Sequence, residues 1–96
     1  MQAQTASFSA FSGLSATLNV EGIISQIVVK ASSSLGNITI VDRAGADMLA
    51  ANGGPIDGAS DSQISGTTLQ WPHASGYVTV TRGNAVGIGT VTIYTI

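Results

Sequence analysis

The chain holds one histidine, His73, and no cysteine, so few of its side chains are suited to chemistry. His73 lies between Pro72 and Ala74 in what reads as a loop, and no His, Glu or Asp stands at helical spacing to share a metal ion with it. Neither a G-x-S-x-G nucleophile elbow nor any other local signature of a hydrolase is present. His73 is therefore expected to be a surface or interface imidazole, and the chain is not expected to be an enzyme. The missing cysteines remove disulfides, zinc ribbons and thiol nucleophiles together. Asp57, Gly58, Ala59, Ser60, Asp61 and Ser62 gather oxygen ligands in one loop, but the alternating carboxylates and closing Glu of a calcium loop are missing, which favours a solvated turn. Gly83, Gly87 and Gly89 resemble part of a phosphate loop without the Lys-Ser or Lys-Thr that should follow. They fall between expected strands, where glycine most simply relieves a bend or bulge. Asn37, Ile38 and Thr39 spell a glycosylation sequon, discounted because it lies inside an expected strand of a chain with no recognisable leader. No cofactor and no metal are expected.

Aromatic residues offer recognition in place of catalysis. Trp71 is the single tryptophan and precedes Pro72, which holds it extended. With Tyr77 and Tyr94 it would form a sugar-stacking platform, and a carbohydrate- or receptor-binding module would use Trp71, His73 and Tyr77. In so small a domain, large aromatics more often anchor a core or an interface, and that second reading is preferred here. Trp71, His73 and Tyr94 join Phe8, Phe11 and Leu14 as candidate interface residues. The last three are the large apolar groups of residues 1–16, spaced by three, as on a short helical turn or on an arm that docks its rings. Ser7, Ser9, Ser12, Ser15 and Gly13 weaken the helical option.

The elements that must position these residues read as strands. From Leu18 onward the pattern is that of strands, and in Ile23 to Val29 every apolar residue is β-branched and they fall on both parities, as expected of a central strand covered on both faces or of one whose second face meets another subunit. Ala31 to Gly36 reads as a serine-rich turn. Ile38 and Ile40 then alternate with Asn37, Thr39 and Val41. Asp42 and Gly45 are the preferred ends of a type I turn. A short strand around Met48 to Ala50 follows, then a break at Asn52 to Pro55, a polar loop over Ile56 to Ser62 and extended chain over Gln63 to Gln70. Val78 and Val80 alternate with Thr79 and Thr81, Gly83 to Val86 reads as a hairpin connection, and Val91 and Ile93 alternate with Thr90, Thr92 and Tyr94. Six to eight short strands with no convincing helix define an all-β fold. The expected form is an antiparallel β-sandwich, jelly-roll-like, with an arm over residues 1–17 and one domain over residues 18–96.

Composition says what such a fold meets. Only 8% of the 96 residues are charged, against a usual share of about 25%. Mean hydropathy is +0.37 and net charge −2, so the chain is not of the disordered class. Lys30, Arg43, Arg82, Glu21, Asp42, Asp47, Asp57 and Asp61 are all the charge the surface has to draw on. A surface that poor in charge favours association with itself or with a larger assembly. Three basic residues and a pI near 4.7 leave no stripe for phosphates, which argues against nucleic acid. No segment reaches the roughly 18 apolar residues of a membrane-spanning helix, and residues 1–16 lack the charge and apolar run of a cleaved leader.

The strand Glu21-Gly22-Ile23-Ile24-Ser25-Gln26-Ile27-Val28-Val29, its partner Gly36-Asn37-Ile38-Thr39-Ile40-Val41-Asp42 and the closing Gly89-Thr90-Val91-Thr92-Ile93-Tyr94 resemble small jelly-roll proteins of tailed-bacteriophage particles, in particular head decoration or cement proteins. The similarity is one of pattern and length over residues 18–96. The resemblance implies a structural virion protein, assembled in the host cytoplasm. It would form a trimer on the capsid surface and bridge neighbouring major capsid subunits. The N-terminal arm would hook a neighbour, with Phe8 and Phe11 as anchors.

Overall fold

A computed structural model of the chain describes residues 2–49, 54–65 and 73–96. Every regular element among them is a strand: β1 (Gln2–Phe8), β2 (Ser15–Ser33), β3 (Asn37–Val41), β4 (Ile56–Asp57), β5 (Ser62–Ser65), β6 (His73–Arg82) and β7 (Ile88–Thr95). All pairings are antiparallel, so the chain is all-β as expected.

The long strand β2 organises the rest. Drawn straight, its 19 residues would reach about 60 Å at roughly 3.3 Å per residue, twice the 30 Å longest dimension of the molecule. It must bend. Gly22, at φ 110°, supplies backbone freedom at the bend. A register shift between Ile24 and Gln26 adds a bulge immediately after it. Residues 15–23 pair with β6, while residues 24–33 pair with β7 and residues 26–29 also take β5 on their other edge. The strand is central, as expected, and the bulge accounts for its apolar residues on both parities. Ile24 and Ile27 lie three residues apart and are both buried because Ser25 is the extra residue between them, whereas Ile23 is 38% exposed. Apolar residues on both parities report a shifted register, with one face buried.

Counted as two strands on either side of its bend, β2 makes the chain a set of eight nested partners. The first pairs with the eighth (β1 with β7), the second with the seventh (residues 15–23 with β6), the third with the sixth (residues 24–33 with β5) and the fourth with the fifth (β3 with β4). Pairings of β7 with residues 24–33 and of β6 with β3 then gather them into two ladders. One runs β1, β7, β2, β5 and the other β2, β6, β3, β4. Ala6, Phe8, Ile27, Val29, Val91 and Ile93 from the first meet Val20, Ile38, Ile40, Ile56, Val78 and Val80 from the second in one buried cluster, closed by Leu35 and Leu49. At about 1.5–3 kcal/mol for each large aliphatic side chain, this cluster supplies most of the driving force.

Several local expectations change. The arm expected over residues 1–17 is an edge strand, a turn and the start of β2. Ala6 and Phe8 face the core, so burial there outweighs the low strand propensity of Ala, Ser and Gln. The hairpin expected at Gly83 to Val86 is a connection between strands that do not pair with each other, since β6 lies between β2 and β3 and β7 between β1 and β2. The polar loop after Pro55 begins as β4, with Ile56 buried. Asp47 makes only an isolated bridge to Val41 and Met48 and Leu49 form a turn where a strand was expected. The turn at Asp42 forms as read. Gly45 N–H donates to the Asp42 carbonyl at 2.9 Å, and Asp42 Oδ1 accepts from Ala44 and Ala46 N–H at 2.9 Å each.

Candidate functional site

Arg82 ends β6 and, though read from sequence as surface charge, is 1% exposed. Its guanidinium donates three hydrogen bonds to backbone carbonyls: Nε to Gly13 at 2.9 Å, Nη1 to Gly87 at 2.6 Å and Nη2 to Ser9 at 2.6 Å. Its Cζ also lies 4.9 Å from the centre of the Phe8 ring, within cation–π range. One buried side chain thereby fastens the turn after β1 to the turn before β7.

That fastening shapes the pole of the molecule. Ser9 to Leu14 and Gly83 to Ile88 meet around the guanidinium. They present Phe11, 98% exposed, together with Leu14, Val86 and Ile88, all exposed. No Lys, Arg, Asp or Glu occurs in either segment. The turns are further set by Ser12 Oγ accepting from Ser9 N–H at 2.8 Å and Asn84 Oδ1 accepting from Val86 N–H at 3.2 Å. Asn84 Nδ2 donates to the Ser34 carbonyl at 2.8 Å, and Gly87 lies so close to the Ser34–Leu35 backbone that a Cβ there would stand 2.9 Å from Leu35 Cα. The result is an uncharged stretch of surface whose backbone is tied from below and on which Phe11, Leu14, Val86 and Ile88 stand exposed.

The sequence candidates divide between this pole and other places. Phe8 is core, beneath Arg82, while Phe11 and Leu14 are on the surface of the pole. Spacing by three therefore did not mark one face. Tyr94 is half-buried on the outer face of β7, opposite Ala3 of β1 and Gln26 of β2. Tyr77 is exposed on β6, in the other ladder, so the two tyrosines do not share a platform. His73 opens β6, opposite Ile23, and Trp71 lies outside the described residues. Val86, Ile88 and Arg82 were missed as site residues. The signal available was a run from Gly83 to Gly89 with no charge and two branched apolar residues set among glycines.

Outside the pole, both ladders turn hydroxyls outward. Thr5 and Thr92 hydroxyls lie 2.9 Å apart, as do those of Ser15 and Thr81. In the acidic loop expected as a solvated turn, Asp57 binds the loop's own backbone and Asp61 binds the neighbouring strand β2. Asp57 Oδ1 accepts from Ala59 N–H, and Asp61 Oδ1 accepts from Ala31 N–H while its Oδ2 lies 3.5 Å from Lys30 Nζ. Beside that pair, Val28, Val29, Lys30, Asp61 and Ser62 line a depression of about 250 Å³. No cluster of three His, Cys, Asp or Glu placed to hold a metal occurs among the described residues. No protein-family model, curated protein or solved structure matches the chain.

Proposed function

We propose that this is a structural protein of a tailed-phage particle that associates with itself and bridges neighbouring capsid subunits through its apolar pole. The observation that carries the reading is the set of exposed apolar groups Phe11, Leu14, Val86 and Ile88 on two uncharged turns whose backbones a buried arginine ties together. Ordering the two turns around Arg82 stabilises the monomer, but holding Phe11 in water does not. A partner would meet turns whose backbone is already tied in place, which leaves less of the entropic cost of ordering loops to the binding step. The nested eight-strand order supports a jelly-roll-like sandwich, an architecture frequent in viral capsid domains. Sparse surface charge fits a protein whose outer faces are largely covered.

The test is mass spectrometry of purified phage particles followed by binding of the recombinant chain to particles stripped of it. The chain is expected in the particle, with Phe11→Ser lowering affinity at least about tenfold while the fold is kept, as for an exposed aromatic anchor. Absence from particles, or full binding by Phe11→Ser, would overturn the proposal.

A further inference from the structure

We infer that β1 is a seam at which two copies of this chain join edge to edge, so that the ladder β5, β2, β7, β1 runs on into β1, β7, β2, β5 of a second copy. β1 has β7 on one side and, among the described residues, no strand on the other. In an antiparallel ladder every second residue of such a strand aims its N–H and C=O away from the neighbour it already has. An edge of this kind is a template for another strand, and folded proteins usually blunt it with charge, proline, a bulge or brevity. The other edges here are shorter than β1 or carry a charge. β4 is two residues long, follows Pro55 and carries Asp57. β5 is four residues long and follows Asp61. The first half of β2 carries Glu21 and runs into the Gly22 bend. β1 has none of these features: its seven residues are uncharged, free of proline and in unbroken register with β7.

The occupant is a second copy because the strand complements itself. A two-fold axis at Thr5 sets Gln2 opposite Phe8, Ala3 opposite Ser7 and Gln4 opposite Ala6. Residues on the same face of the sheet then meet, with Gln2 and Gln4 opposite the buried Phe8 and Ala6, and no charge meets a like charge. The outward side chains Ala3, Thr5 and Ser7 are small, leaving room for backbones about 4.8 Å apart. The joint forms about six to eight main-chain hydrogen bonds. This inference shares with the proposed function only the premise of self-association, and a two-fold seam builds even-numbered oligomers in place of the trimer that the resemblance implies.

Because the chain has no cysteine, one introduced thiol reports only contacts between copies. Thr5→Cys is expected to yield a disulfide-linked pair of twice 9.6 kDa under mild oxidation, since facing Cα atoms lie about 4.5–5.5 Å apart across such a seam. Thr92→Cys, one strand inward and about 14 Å from its counterpart, stays single. Thr5 is exposed, so Thr5→Lys keeps the fold, checked by circular dichroism. It sets two ammonium groups side by side and raises the dissociation constant in sedimentation about fivefold or more. Mixing Thr5→Lys with Thr5→Glu restores the pair. Thr92→Val, which removes the same hydroxyl contact without adding charge, leaves it intact. A wild-type chain that stays monomeric at high micromolar concentration, equal cross-linking at Thr92→Cys, or a dimer indifferent to Thr5→Lys overturns the seam. A seam that passes in a protein absent from phage particles survives the loss of the virion reading; incorporation into particles with no Thr5→Cys cross-link is the reverse.

Discussion

A buried guanidinium is costly unless its N–H groups find acceptors, and removing one partner of such an arrangement costs more than the arrangement itself contributes. Arg82 meets that condition with three carbonyls, one π face and no carboxylate. Carbonyls fix direction without adding an opposite charge, so the fork's planar geometry is what matters. Arg82→Lys is expected to keep the charge and lose the fork, lowering unfolding free energy by about 2 kcal/mol, and Arg82→Ala by about 3 kcal/mol or more. Urea titration measures both, and a loss below about 0.5 kcal/mol for the alanine variant would remove Arg82 as the support of the pole. Gly87→Ala tests the same support from the other side. Its Cβ would be driven into the Ser34 carbonyl and Leu35 Cα, so thermal melting is expected to show a loss of at least about 1 kcal/mol, in the range of overpacking.

At the scale of elements, the bend in β2 decides whether two ladders or one flat sheet forms. Gly22 has φ 110°, and a Cβ on it would lie 3.1 Å from the Ile96 carbonyl oxygen. Gly22→Val combines that approach with a backbone region closed to β-branched residues, so a loss of about 2 kcal/mol or more is expected in urea. An unchanged midpoint would place the bend's origin elsewhere, in the Ser25 bulge. β3, β6, β7 and the middle of β2 were legible because Val78 and Val80, Val91 and Ile93, and Ile38 and Ile40 alternate with hydroxyl residues at the period of a pleat. β1 was not, because only Ala6 and Phe8 of its seven residues are buried and apolar, while Phe11 and Leu14 continue a spacing that resembles a helical face. Chain proximity also misled at β6 and β7. A five-residue connection suffices for a crossing between ladders as well as for a hairpin, and no local residue tells the two apart. Arg82 illustrates the limit at the site: burial of a charge depends on three carbonyls supplied by segments distant from it or beyond a turn, which spacing does not reveal.

For the whole molecule, the proposed association depends on what kind of force would bring copies or partners together. Lys30 and Asp61 form an exposed ion pair at 3.5 Å, of a kind that contributes little, and Arg82 is buried. The surfaces assigned to contact, the pole and the β1 edge, contain no ionised side chain at all. Association through main-chain hydrogen bonds and apolar burial has little to lose from screening, even though the Debye length falls from about 30 Å at 0.01 M salt to about 3 Å at 1 M. The self-association constant is therefore expected to change by less than about twofold as sodium chloride rises from about 0.05 to 0.5 M. Ammonium sulfate should strengthen it, because excluded salts favour burial of apolar surface. Sedimentation across both series measures this. A tenfold weakening in sodium chloride would assign the contact to the few acids and bases at other edges, Asp57, Asp61 and Lys30 among them, and would move the joint away from β1 and the pole together.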